Sequence, residues 1–205
     1  YNETLVRLYN KVIIEIYDDY FIHLTNMTET LKLIDIYNTK CNLIKELNLC
    51  KPNIINKDYS FVDAKKMRHI LIESIEKNEI YVPNDICLGK DINNLGLLLY
   101  GTNAVGKTSL IKALGISVIM AQSGFYVPCE SFSFFPYKYI FTRIIGNDNI
   151  FKGLSTFGVE MSELRVILNM CNKHSLILGD ELCSGTEIDS ALSIFITSME
   201  IMTKQ

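Results

Sequence analysis

Leu95-Gly96-Leu97-Leu98-Leu99-Tyr100-Gly101-Thr102-Asn103-Ala104-Val105-Gly106-Lys107-Thr108-Ser109-Leu110 is the stretch that decides the fold. Its first six residues form a short apolar run, read as a buried strand. Gly101-x-x-x-x-Gly106-Lys107-Thr108 is a phosphate-binding loop. Successive backbone N–H groups in such a loop turn inward as an anion nest, and the N-terminus of the following helix adds positive partial charge. The spacing assigns Lys107 to the β- and γ-phosphates and the Thr108 hydroxyl to Mg²⁺. The candidate nucleotide-binding residues are therefore Gly101, Thr102, Asn103, Ala104, Val105, Gly106, Lys107, Thr108 and Ser109. The competing reading is a ligand-free Gly/Lys turn, and the strand before the loop and the helix after it argue against that.

A second apolar run, Leu176-Ile177-Leu178-Gly179, ends in Asp180-Glu181. Polyphosphate carries dense negative charge, so a Mg²⁺ must bridge it, and Asp180 at a strand end can hold that ion directly or through its water. Glu181 leaves the strand end in the other direction and can orient or deprotonate the attacking water. Alone, the pair reads as a solvated turn; downstream of a phosphate loop in one α/β pattern it reads as the other half of a hydrolytic site. Nucleoside kinases attack with a substrate hydroxyl and need no adjacent glutamate. GTPases carry an Asn-Lys-x-Asp element, which is absent here. The Asp-Glu ending points instead to ATP hydrolysis coupled to motion, as in ABC-type ATPases.

The 205 residues suffice for one large or two small domains, and 48% hydrophobic against 21% charged residues argues for a packed core. A net charge of −3 gives no global case for nucleic-acid binding. The six cysteines form no Cys-x-x-Cys pair and the three histidines are scattered, so a zinc site is not expected. Scattered thiols beside a phosphate loop fit a reducing, intracellular compartment. No apolar run reaches the ~18 residues of a membrane span, and no signal peptide is present. The first residue is Tyr1 and the last lies within a helical pattern, so a piece of a longer chain is expected.

In residues 1–24 the apolar positions Leu5, Leu8, Val12, Ile16, Tyr20 and Leu24 recur at helical spacing, and Leu33, Ile36, Ile44 and Leu47 continue it. Asn26 with Glu29 resembles a capping arrangement, which favours a helical hairpin over one continuous helix. Pro52 breaks the pattern, giving a helical segment 1–52 and an ATPase domain 53–205. Short strands are expected at Phe61-Val62, His69 to Ile72 and Ile80 to Val82, with a turn at Pro83-Asn84-Asp85. A helix is expected from Lys107 to Ala121, ended by Gly124. β-rich stretches follow at Tyr126-Val127, Ser131 to Phe134 and Tyr137 to Ile145. Ser155-Thr156 opens a helix to about Cys171, Ser175 to Gly179 is a strand, and Thr186 with Asp189 caps a final helix. The fold class is α/β, a parallel-rich sheet flanked by helices with a helical segment before it. On the residues alone, Ser155 and Thr156 cap their own helix and Tyr81 is an ordinary strand tyrosine.

Taken together, these motifs resemble the MutS family of DNA mismatch repair proteins. The loop from Gly101 to Ser109 is similar to the family's Gly-Pro-Asn-x-x-Gly-Lys-Ser/Thr. Tyr126-Val127-Pro128, Ile140-Phe141-Thr142-Arg143, Ser155-Thr156-Phe157-Gly158-Val159-Glu160-Met161 and Asp180-Glu181 through Gly185-Thr186 follow in the family's order. The resemblance implies a dimeric ABC-type ATPase acting on mismatched double-stranded DNA, with ATP and Mg²⁺ shared between two subunits. It also implies that Ser155 and Thr156 face the partner's γ-phosphate, and that Tyr81 stacks on adenine. Residues 1–52 resemble the returning core and lever helices. Thr102 replaces a Pro, Val105 a Gly, and Leu154 and Ser184 stand where the family usually has Arg. No Phe-x-Glu mismatch wedge occurs, so DNA contact is expected mostly outside this stretch.

Overall fold

The computed structural model describes residues 2–75, 81–91, 94–103, 105–144, 156–180 and 187–204, with the side chain of Thr156 left out. It has two compact units, Tyr1–Glu46 and Leu47–Gln205. The first unit is one helix, α1 (Asn2–Glu46). At 1.5 Å rise per residue it is about 68 Å long. The expected hairpin is therefore corrected to the continuous alternative. The stretch holds no glycine or proline to break it. Its hydroxyls also act inside the helix: Thr25, Thr28 and Thr30 donate to the carbonyls of Phe21, Leu24 and Asn26, four residues back. No residue of α1 is buried, and Leu8, Val12, Ile22 and Tyr37 are among the apolar side chains left exposed around it.

Among the described residues the second unit holds ten elements: β1 (Asn53–Ile54), β2 (Phe61–Met67), α2 (Ile70–Ile75), β3 (Asn84–Leu88), α3 (Lys107–Gln122), β4 (Ser131–Phe135), β5 (Tyr139–Arg143), α4 (Thr156–Met170), β6 (Ser175–Gly179) and α5 (Ile188–Thr203). Four strands make a mixed sheet in the order β1-β4-β2-β3, in which only β1 and β4 are parallel. A separate two-stranded sheet pairs β5 and β6 in parallel, from Tyr139 opposite Ser175 to Arg143 opposite Gly179. The parallel-rich sheet of the sequence reading is thus corrected to a mixed one. The reason lies in β2: Phe61, Val62, Ala64 and Met67 are buried while Lys65 and Lys66 face water. A strand wet on one side suits antiparallel pairing, whereas parallel strands covered on both faces read as continuous apolar runs.

The core lies between this sheet and α3. Val62, Ala64 and Met67 of β2 and Phe132 and Phe134 of β4 meet Ala113, Leu114, Val118 and Ala121 of α3. Helix α3 also packs on β6, so it touches both sheets. A polar joint ties the sheets at one end. The Ser60 N–H donates to Lys173 O at 3.0 Å, and the buried Ser60 hydroxyl donates to Pro136 O and lies 3.1 Å from His174 Nδ1.

Other local expectations change form. His69 to Ile72 starts α2: His69 Nδ1 accepts the Ile72 N–H, and its carbonyl accepts from Glu73, which turns the chain helical. Tyr81 and Val82 precede β3, and Asn84-Asp85 opens that strand because the Asp85 carboxylate accepts the Lys66 N–H across the pair. Leu95 to Tyr100 is not a strand. Among the described residues it has no ladder partner, and Leu95, Leu97, Leu98 and Tyr100 are exposed, Tyr100 at 92%. An apolar run becomes a strand only where another backbone takes up its N–H and C=O groups, and here β6 pairs with β5 alone. The turn at 146–149 and the Thr186 cap lie outside the described residues.

Candidate nucleotide site

The site grows from the N-terminus of α3. Gly106 precedes that helix with φ +94°, a left-handed conformation that side chains resist, and its carbonyl accepts the Leu110 N–H. A Cβ there would meet nothing within 4 Å, so the backbone angle rather than space requires glycine. No side chain caps the helix start, which leaves its first N–H groups for an anion. Lys107 curls back over the loop and donates to Gly101 O at 2.9 Å and to Thr102 O at 2.7 Å. The ammonium is thereby held at the loop mouth, bound among the described residues by carbonyls that a phosphate can replace.

The Thr108 hydroxyl donates to Asp180 Oδ2 at 2.6 Å. These two residues lie 72 apart in sequence. Two oxygen donors brought within hydrogen-bond distance, one an anion, are the chemistry a hard cation such as Mg²⁺ requires. Asp180 is buried, so its charge depends on partners. Its N–H donates to Arg143 O at 2.8 Å, which fixes the turn out of β6 against the end of β5. Behind Thr108, α3 lies close on β6: a Cβ on Gly115 would come within 2.8 Å of Leu178 Cδ1. Any larger residue at 115 would need the Leu178 side chain to shift or the helix to stand further from the strand that leads into Asp180.

Arg143 ties the same strand end to α4. Its Nη2 donates to Glu160 Oε1 at 3.0 Å and its Nε approaches Glu163 Oε2 at 3.1 Å. Glu160 is buried, and among the described residues its other oxygen has no hydrogen-bond partner.

The structure therefore brings together Gly101, Thr102, Gly106, Lys107, Thr108 and Asp180. Asn103 and Val105 are exposed beside the loop, and Ser109 lies half-buried in the first turn of α3. Tyr81 sits with α2: burial pushes its phenol up, and a hydrogen bond to the His69 backbone opposes that. Thr156 is the first residue of α4. Ala104, Ser155 and Glu181, with Leu154 and Ser184, lie outside the described residues. Arg143 and Glu160 fall within the sequence motifs but receive no role from them, and Glu163 and Gly115 carry no motif signal. A charged residue ending an apolar stretch, with two glutamates three apart on the next helix, was the available signal.

Comparison with known proteins bears on the same stretch. The family model MutS domain V matches residues 97–205. A mitochondrial DNA mismatch repair protein mutS homolog from Sarcophyton glaucum is 37% identical over 204 residues, covering 98% of this chain and 20% of that protein. DNA mismatch repair protein MutS from Alkaliphilus oremlandii is 32% identical over 167 residues, 82% of this chain and 19% of that protein. DNA mismatch repair protein MSH6 from Saccharomyces cerevisiae is 40% identical over 154 residues, 71% of this chain and 12% of that protein. The chain thus spans a fifth or less of the length of these relatives.

Proposed function

From the premise that this chain belongs to the MutS family, we propose that residues 53–205 bind and hydrolyse ATP, and that turnover switches a clamp on mismatched double-stranded DNA. The contact that carries this reading is Thr108 to Asp180 at 2.6 Å, set at the uncapped start of α3 with Lys107 beside it. Thr108 and Asp180 would hold Mg²⁺, which supplies charge neutralisation for the transferring phosphoryl group. The N–H groups from Gly101 to Ser109 bind phosphate, Lys107 exchanges its loop carbonyls for phosphate oxygens, and Glu181 positions the attacking water. Tyr81 stacks on adenine, and Ser155 and Thr156 act toward the nucleotide of a second, MutS-like subunit. Helix α1, which leaves Leu8, Val12, Ile22, Tyr37 and other apolar side chains exposed along its length, belongs to a core or lever region of the whole protein. The proposed compartment is reducing and intracellular, from the scattered thiols.

A second reading, a nucleotide-dependent dimerisation module with little turnover, draws on Val105, exposed in the loop, and on Leu154 and Ser184 in place of arginines. Steady-state ATPase on the whole protein, with Glu181→Gln beside it, separates the two. The ATPase reading expects turnover in the parent and a drop of about 10²-fold or more in Glu181→Gln with ATP binding retained. Equal, near-zero rates with intact ATP binding in both would leave the dimerisation module standing.

A further inference from the structure

We propose that Arg143 is a positioning residue that locks the first turns of α4 in register with Asp180, so that the metal-binding strand end and α4 move as one body. The inference rests on the ATPase reading above and assigns regulation of that site to a contact outside it.

Arg143 is the last residue of β5, opposite Gly179 of β6, and its carbonyl accepts the Asp180 N–H at 2.8 Å. Its side chain, 20% exposed, leaves in the other direction and reaches two carboxylates three residues apart on α4. At that spacing Glu160 and Glu163 share one helix face. A planar guanidinium offers several donors in a fixed fork and so serves both at once in a defined geometry, which an ammonium on a flexible stem does not impose. One residue thus joins Asp180 through its backbone and α4 through its side chain. The path continues from Asp180 to the Thr108 hydroxyl at 2.6 Å and into α3.

The tie is built to be strong. Glu160 is 8% exposed, and among the described residues only one of its oxygens has a partner. Arg143 is the cation it pairs with at 3.0 Å, and a buried carboxylate stripped of its cation is costly. Glu163 is 48% exposed at its side chain and contributes geometry more than burial. Glu160 lies one turn after Thr156, the start of α4. A rotation of α4 therefore cannot occur without pulling on the β5 end and on Asp180. Coupling of this kind requires a contiguous set of packed and hydrogen-bonded groups, and these residues form one.

The test uses the whole protein and four variants: Arg143→Gln, Arg143→Lys, Glu163→Gln and Arg143→Gln with Glu163→Gln. Each is measured for ATP affinity by equilibrium binding, for kcat and KM, and for its denaturation midpoint. Misplacing a catalytic part by about 1 Å can cost 10²-fold. Arg143→Gln should therefore lower kcat by about tenfold to a hundredfold, with ATP affinity within about twofold of the parent. Arg143→Lys should recover part of the loss. Glu163→Gln, which leaves the buried pair intact, should lower kcat a few-fold without moving the midpoint. The double variant should match Arg143→Gln alone, since the two residues act through one contact. Three results would overturn the proposal: kcat unchanged in Glu163→Gln, losses that add in the double variant, or ATP affinity falling in parallel with kcat. If Arg143→Gln does not fold, Glu163→Gln and Arg143→Lys still decide the matter. A parent protein that binds ATP without turnover removes the ATPase reading and this inference with it, whereas parental turnover with unaffected variants removes the inference alone.

Discussion

Replacing Gly115 by alanine tests whether α3 sits on β6 as closely as the structure places it. A Cβ at this position would lie 2.8 Å from Leu178 Cδ1, well inside ordinary carbon–carbon contact. Two effects oppose each other. Alanine in a helix interior is favoured over glycine by about 1 kcal/mol. Overpacking a filled core costs about 1–3 kcal/mol. Leu178 is 5% exposed and belongs to the core cluster, so its methyl has little room to retreat, although it is the end of a flexible side chain. The net expectation is a loss of about 1 kcal/mol for Gly115→Ala, measured by urea denaturation followed by circular dichroism. Leu178→Val removes the offending methyl at a cost of about 1 kcal/mol. In the double variant the two losses should fail to add, with a favourable coupling of about 1–2 kcal/mol. The same displacement acts on the site, because Thr108 rides on α3 and Asp180 follows β6. Mg²⁺-dependent ATP affinity should therefore fall in Gly115→Ala and recover in the double variant. A Gly115→Ala protein more stable than its parent, by the full propensity gain and with Leu178 intact, would refute the reasoning.

Thr108→Val keeps side-chain shape and removes the hydroxyl that serves the buried Asp180 carboxylate. It should cost about 1–3 kcal/mol of stability without any nucleotide, and unchanged stability would show that Asp180 has another donor. His69 is buried, and burial first, then the nearby Lys112 charge, holds its imidazole below the ordinary value. The sign follows: with the folded value depressed, the contribution is complete above the unfolded value of about 6.5 and is lost as pH falls through the folded one. Denaturation midpoints should drop from pH 7.5 to 5, with a shallower slope in His69→Gln; identical slopes would contradict this. Burial pushes the Cys129 thiol up to about 12, so thiol reagents at pH 8 should modify the exposed Cys41 quickly and reach Cys129 only in denaturant. Peptide mass analysis reads the difference, and early native labelling of Cys129 would contradict it.

What the sequence made legible follows physical locality. Helix α3 was visible because Leu110, Leu114 and Val118 repeat at helical spacing and Gly106 and Gly124 frame it, both with positive φ. Strand β6 was visible as an apolar run stopped by a carboxylate. The candidate phosphate loop could be picked out because nine consecutive residues from Gly101 spell its motif without help from a distant partner. Where the outcome depended on a distant partner, pattern alone was insufficient. Asn26 and Glu29 satisfy the rule for a helix start, yet α1 runs through them, because a capping residue acts only if the chain enters the helix there. Leu95 to Tyr100 satisfies the rule for a buried strand, yet strand formation requires a second backbone.

The candidate site divides along the same line. Lys107, Thr108 and Asp180 are chemical groups that a motif can specify, since phosphate and metal dictate residue type and local spacing. Their mutual placement is a different matter. The Thr108–Asp180 contact joins a helix start to a strand end, and nothing between the two residues in sequence fixes that distance. Gly115 fixes it by allowing close approach, the Ser60–His174 joint fixes the far end of β6, and Arg143 fixes the turn after it. None of the three bears on nucleotide chemistry, and each is an ordinary residue type in an ordinary element. A substitution among them should therefore leave the motif readable while changing the site. In this chain the departures Thr102 and Val105 leave Gly106, Lys107 and Thr108 in a geometry that still reaches Asp180. Whether a divergent member of such a family keeps its chemistry is accordingly a question for the residues that hold α3, β6 and α4 together, more than for the loop itself.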